Sequence, residues 1–416
     1  MTFRHFTSIA CAVAALVISC NNKTPEWVGA ALESSTQQLL STADELRDSG
    51  RFPRSIWSGW DIEFLAEQIG PSVYAKVDSL RPQPSADKLG KLRTCDVYDW
   101  TSGFFPGSLW LAYELTGDER LLLDAVDYTN KMLPATFYTD THDLGFMVGC
   151  SYGNALRLCP NDSLKTVIIR TADNLASRFN PEIGAIRSWD FGPWNFPVII
   201  DNMMNLELLF QASKLTGDNK YKDIAIRHAD KTMSCHFRPD MTSYHVVSYN
   251  PDGSIETRQT FQGRSDESAW ARGQAWGVYG YTVCYRETGD KKYLEFAQKI
   301  ADMIISRVKT EDHIPLWDYD APNLPTTPRD ASAAAVTSSA LFELCGYLPD
   351  GRKYFDYAES ILRSLSSPEY LAEIGTNCGF ILKHSTGSLA HGSEIDVPLN
   401  YADYYYLESL KRYIEI

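Results

Sequence analysis

Positive charge is scarce in this 416-residue chain. Lys and Arg number 39 against 53 Asp and Glu, a formal net charge of −14. A duplex-binding surface has to neutralise phosphates, so this balance excludes nucleic acid as a partner. Histidine is sparse as well, with 8 residues, and there is no HExxH, Walker-type phosphate loop or Rossmann glycine pattern. The nine cysteines contain no CxxC pair. Setting aside Cys11 and Cys20 near the N-terminus leaves Cys95, Cys150, Cys159, Cys235, Cys284, Cys345 and Cys378, an odd and scattered set. Such a set is no disulfide framework, and most of its members are expected in the core. His and Cys never cluster at metal-ligand spacing, so the sequence points to a site built from carboxylates, with no metal and no cofactor.

Long apolar runs are also missing. The stretch Ile9–Ile18, preceded by Arg4 and His5, is too short to span a bilayer. It ends at Ser19-Cys20 and is followed by polar Asn21-Asn22-Lys23, which resembles the lipobox of bacterial lipoproteins. Residues 1–19 are therefore expected to be a cleaved signal, with Cys20 the lipidation site. Membrane contact would then come only through that lipid, on an exported, periplasmic or membrane-anchored protein. The alternative is a secretory signal cut a few residues later, with Cys20 incidental.

What the chain does have is a repeat. Thr-Gly-Asp recurs at 116–118, 216–218 and 288–290, each time between two stretches of helical apolar periodicity. Gly supplies the left-handed helix stop and Asp the N-cap of the next helix. Leu121/Ala125, Tyr221/Ala225 and Tyr293/Ala297 then repeat the i, i+4 spacing of a buried face. Weaker copies span 147–179, turning at Pro160-Asn161-Asp162, and 334–366, turning at Pro349-Asp350-Gly351. The stretch 26–49 and the C-terminal 401–413 could pair as a sixth hairpin. Long loops rich in Trp, His, Gly and Pro separate the hairpins, which argues against a solenoid of short connectors. The expectation is an all-α (α/α)6 barrel over residues 20–416 as one domain, with its site at the loop end that starts the inner helices. Residues 50–95 read only as a long connector.

Three constellations carry candidate chemistry. His142-Asp143-Leu144-Gly145-Phe146 offers an imidazole and a carboxylate in one loop. Ile199-Ile200-Asp201-Asn202-Met203-Met204-Asn205 sets a carboxylate among apolar neighbours, where desolvation favours a retained proton. Both Asp143 and Asp201 could instead be plain helix caps. Trp270-Ala271-Arg272-Gly273-Gln274-Ala275-Trp276-Gly277 places Arg272 and Trp276 one turn apart, able to hold a carboxylate and stack on a sugar ring, or simply to serve as core. Trp100, Trp189, His245, Gln262, His384 and His391 are outlying candidates.

Taken in order and register, the HDxGF loop, the IIDxMMN helix start and the WxRGQAWG run resemble glycoside hydrolase family 88, the unsaturated glucuronyl hydrolases. The resemblance runs from about Asp96 to Tyr401-Ala402-Asp403-Tyr404-Tyr405. It implies an (α/α)6 barrel that removes the 4,5-unsaturated uronic acid left by polysaccharide lyases, by protonating C4 and adding water at C5. On that resemblance Asp201 is the general acid/base and Asp143 the second carboxylate. His142, Trp100, Trp189, His245, Gln262, Arg272 and Trp276 would bind substrate. The expected partner is an unsaturated oligosaccharide, with glycosaminoglycan fragments ahead of rhamnogalacturonan or ulvan fragments. A catalytically silent lipoprotein that captures oligosaccharides is the alternative from another class. The oligomeric state is not legible.

Overall fold

The computed structural model describes residues 25–416, so the signal expected over 1–19 and Cys20 lie outside the described residues. Five helical hairpins, with α1 and α13 from the two ends of the described chain, form two concentric rings. The inner ring consists of α3 (Phe104–Thr116), the wide turns of Gly145–Gly153 running into α5 (Asn154–Leu158), α7 (Leu206–Thr216), α9 (Ala271–Thr288), α11 (Ala331–Cys345) and α13 (Asn400–Glu415). Outside them lie α1 (Glu26–Leu46), α4 (Glu119–Lys131), α6 (Asp162–Ala176), α8 (Asn219–Cys235), α10 (Lys291–Arg307) and α12 (Arg352–Leu365). The last helix, α13, packs against both α11 and α3, closing the inner ring, while α1 covers α3 and α4 from outside. This is the (α/α)6 barrel that the hairpin count anticipates.

The three Thr-Gly-Asp turns share one geometry. Gly117, Gly217 and Gly289 have φ of 71°, 73° and 69°, a region that favours glycine. Asp118, Asp218 and Asp290 each accept a bond from the backbone N–H two residues on, at 2.9, 2.8 and 3.0 Å. The threonine completes the motif, because each hydroxyl donates back into its helix and accepts the Asp backbone N–H at 3.1–3.2 Å. The predicted faces Leu121/Ala125, Tyr221/Ala225 and Tyr293/Ala297 are all buried. Cys95, Cys150, Cys235 and Cys284 are buried too, and the seven described cysteines are free thiols. Among the described residues no helix is long and apolar enough to cross a membrane.

Three small sheets stand outside the helical pattern. The antiparallel sheet β5–β6–β7 (Pro197–Ile199, Val246–Tyr249, Ile255–Gln259) pairs Ile199 with Val246. Residues 50–95 are not a plain connector: β1 (Phe52–Ile56) pairs with β2 (Leu92–Cys95), and α2 (Ile62–Ile69) with a 3-10 stretch Pro71–Ser79 forms an arm between them. Helical periodicity carries no trace of this arm, because little of it is buried.

Candidate active site

All six inner helices begin at the same pole. Their unpaired N–H groups and dipoles favour negative charge there, a local preference inside an acidic molecule. The opposite pole holds a cavity of about 850 Å³, where Arg286 and Arg412 are engaged by Glu207, Glu343 and Glu408. Gly149-Cys150-Ser151-Tyr152-Gly153 lies in the inner wall and spells GxSxG. It is no nucleophile elbow: Ser151 is buried mid-helix and donates to Met147 O at 2.6 Å.

Strand pairing assembles the centre. The β5–β6 register brings Ile200 N to His245 O at 3.0 Å, which sets Asp201 beside His245. His245 Nδ1 accepts two backbone N–H groups, from Phe261 at 3.0 Å and Gln262 at 3.1 Å. That nitrogen therefore carries no proton, and the ring proton sits on Nε2, 3.5 Å from Asp201 Oδ2. Asp201 is 7% exposed and its Oδ2 has no hydrogen-bond partner. Neither the 3-10 turn Ile200–Asn205 nor α7 takes a side-chain cap, so Asp201 caps nothing.

Asp143 forms the second pair. Its Oδ1 lies 3.3 Å from His142 Nε2, and its Oδ2 accepts from Thr141 Oγ1 at 2.8 Å. It gives no cap to the helix that follows. Burial pushes the Asp143 carboxyl above the usual range. His142 and Thr141 restrain that rise, and the negative charge of Asp201 adds to it. The two carboxylates are thus close enough for one to act on the other. Asn205 Oδ1 accepts Phe146 N at 3.0 Å and fastens the two segments together. Gly145 permits this contact, since a Cβ there would stand 2.6 Å from Asn205 Cα.

The remaining expected residues fall around these pairs. Trp189 is half-buried, edge-on to His245 at 6.2 Å, stacked on Trp194 at 5.8 Å and 5.1 Å from Phe261. Gln262 donates its side-chain amide to Gly387 O at 3.3 Å. Trp100 lies against Tyr401 and Phe146, and Trp276 is fully buried between Phe146 and Tyr405. His391 reaches the mouth, 4.2 Å from the Phe261 ring, whereas His384 pairs with Asp396 outside the centre.

Arg272 departs from the sequence expectation of a guanidinium open to a ligand carboxylate. It is 1% exposed, and its guanidinium bonds Asp330 at 2.9 Å and the carbonyls of Thr386 and Gly387, both at 2.6 Å. These bonds engage both terminal nitrogens and hold the 386–387 wall in place, while Arg272 Nε is left without a partner. Asp330 is missed by sequence reading because it looks only like the N-cap of α11, which it also is. Tyr401, Phe261 and Glu394 were likewise not singled out. Glu394, 4% exposed, binds Arg54 and Arg93. Burial alone would raise its carboxyl, but Arg54, Arg93 and Arg272 outweigh it and bring it to about 2.

Among the buried side-chain atoms without a partner, seven lie at this pole: His142 Nδ1, Trp189 Nε1, Asp201 Oδ2, His245 Nε2, Arg272 Nε, Trp276 Nε1 and the Tyr401 hydroxyl. Buried polar groups are normally satisfied, so a cluster of exceptions marks a place for a polar, hydroxyl-rich ligand. Among the described residues, no group of three or more His, Cys, Asp or Glu is set to hold a metal ion.

Known proteins resemble this chain in sequence and in fold. The family model for glycosyl hydrolase family 88 matches residues 81–282, and a model for a domain of unknown function matches residues 3–70. An unsaturated glucuronyl hydrolase of Formosa agariphila is 48% identical over 319 residues, covering 76% of this chain and 80% of that protein. An unsaturated chondroitin disaccharide hydrolase of Streptococcus pyogenes is 32% identical, covering 80% and 85%. The crystal structure of an unsaturated glucuronyl hydrolase specific for heparin superimposes with a TM-score of 0.84 at 48% identity, over 94% of this chain and 97% of that one. With this identity sustained over most of both chains, the protein belongs to glycosyl hydrolase family 88.

Proposed function

We propose that this chain removes the 4,5-unsaturated uronic acid from the non-reducing end of lyase-generated glycosaminoglycan oligosaccharides by acid-catalysed hydration. Asp201 is the general acid/base. Its buried Oδ2 has no hydrogen-bond partner, whereas both oxygens of Asp143 are engaged by His142 and Thr141. In this reading Asp201 protonates C4, and water adds at C5 as a proton returns to the carboxylate. The hemiketal so formed opens and releases the aglycone. Asp143, pushed up by burial, positions the substrate and stabilises the charge that develops. His245 Nε2 stands 3.5 Å from Asp201 Oδ2, an imidazole beside the oxygen that transfers the proton.

The observation that carries this proposal is that neither carboxylate caps a helix, while both lie against a histidine at the pole where the inner helices begin. A silent capture protein would leave that arrangement without a purpose. Relatives named for heparin and for chondroitin disaccharides support a glycosaminoglycan source over pectin or ulvan. The apolar run before Ser19-Cys20 supports export and a lipid on Cys20. The test uses protein lacking residues 1–20 and unsaturated disaccharides from chondroitin, heparin and rhamnogalacturonan. Loss of the ultraviolet absorbance of the conjugated C4=C5 bond is the expected result. Binding without any such loss would overturn the catalytic reading.

A further inference from the structure

The arm between β1 and β2 folds over the mouth of the site. Trp60 packs on Gly392, where an added Cβ would stand 2.5 Å from the indole, and its Nε1 donates to Arg81 O at 2.9 Å. Arg81 N in turn donates to His391 O at 2.9 Å. The backbone of Arg81 is thereby clamped to the rim through bonds that do not involve its side chain. From the centre outward the order is Asp201, His245, Phe261 and His391, with Arg81 beyond. Arg81 therefore lies outside the ring of residues that touch Asp201.

The charges around it differ in one respect. Arg54 and Arg93 are engaged by Glu394, with Asp99 also on Arg54, and Arg272 by Asp330. Arg81 is exposed, and among the described residues no hydrogen bond or ion pair takes its guanidinium. Its backbone bond to His391 O places it at the rim of the mouth. Residues 57–80 of the arm also precede the span that the family model matches.

Building on the function proposed above, we propose that Arg81 is a specificity determinant that binds an oxyanion, a sulfate or a carboxylate, on the sugar attached to the unsaturated residue. Phe261 and His391 supply the ring surface over which that sugar lies, and Arg81 meets its anionic substituent at the far edge. A guanidinium presents paired donors suited to either oxyanion.

The test measures kcat/KM for wild type, Arg81→Gln and Arg81→Glu on three unsaturated disaccharides whose second sugar is neutral, sulfated or a uronate. At this exposed site one charged contact should change selectivity about fivefold. The expected result is that the anionic-to-neutral ratio falls about fivefold in Arg81→Gln and further in Arg81→Glu, at an unchanged thermal midpoint. Whether the sulfated or the uronate ratio falls identifies the oxyanion. Ratios equal to wild type in both variants would overturn the proposal. If wild type consumes none of the three, the hydration reading fails instead, so the two failures are distinguishable.

Discussion

Replacing Asp201 by Asn isolates chemistry from architecture. The side chain caps no helix and its Oδ2 bonds nothing, so the substitution removes no hydrogen bond within the protein. His245 Nε2–H, 3.5 Å away, can still face a carbonyl oxygen of the Asn amide. The stability change should therefore stay within about 0.5 kcal/mol, the range for a substitution that breaks no specific feature. Turnover should respond very differently. A positioned proton donor is worth roughly 10²–10⁴ in rate, or about 3–5 kcal/mol in the barrier. Since the proton is needed only in the transition state, kcat should carry the loss while KM stays near wild type. The assay is the fall of ultraviolet absorbance of an unsaturated disaccharide, run beside a thermal unfolding curve. A kcat within tenfold of wild type would refute the reasoning, as would a loss of activity matched by a lowered thermal midpoint.

Glu394→Gln should destabilise the protein by roughly 3 kcal/mol at neutral pH, from a carboxyl lowered from 4.5 to about 2. The sign follows from that depression: the contribution is full above the unfolded value near 4.5 and fades as pH falls towards 2. The gap between wild type and variant in urea unfolding should close over that window, and a gap independent of pH would contradict the assignment. Gly145→Ala drives a Cβ to 2.6 Å from Asn205 Cα and should lose about 1–3 kcal/mol in calorimetry, together with activity. Gly149→Ala meets nothing within 4 Å and should be neutral or stabilising by about 0.5–1 kcal/mol. Equal midpoints for the two glycine variants would refute the close approach. Arg272→Lys keeps the charge but loses the fork that spans Asp330, Thr386 and Gly387, and should lower kcat/KM tenfold or more. Retention of wild-type kinetics would show that the 386–387 wall needs no fork.

The barrel was legible because its signals are local. Thr116, Gly117 and Asp118 make their defining bonds within a few residues, so their repetition at 216 and 288 announces a hairpin without knowledge of the rest. Asp143 with His142, and Asp201 by its setting, were visible in the sequence, but the pairing of Asp201 with a particular histidine was not. The pairing of Asp201 with His245 depends on the β5–β6 register, which helical periodicity does not encode. Arg272 stayed open between ligand and core for the same reason. Its partners lie 58, 114 and 115 residues away, and a guanidinium beside two tryptophans looks open until those partners are known. The arm over 57–91 offered neither period nor motif, and only its packing gives it a place.

The wall of the mouth joins the two ends of the polypeptide. Arg54 grips Glu394 across 340 residues, and Asn400, at the start of the last helix, donates to Pro53 O at 2.7 Å. A chain emerging N-terminus first thus makes Asp143, Asp201 and His245 long before it can enclose them. Bringing such distant segments together carries a loop-closure cost that only the completed ring offsets. A chain that stops before residue 384 lacks Glu394, Asn400 and α13, and so lacks both the wall beside Asp143 and Asp201 and the helix that closes the inner ring.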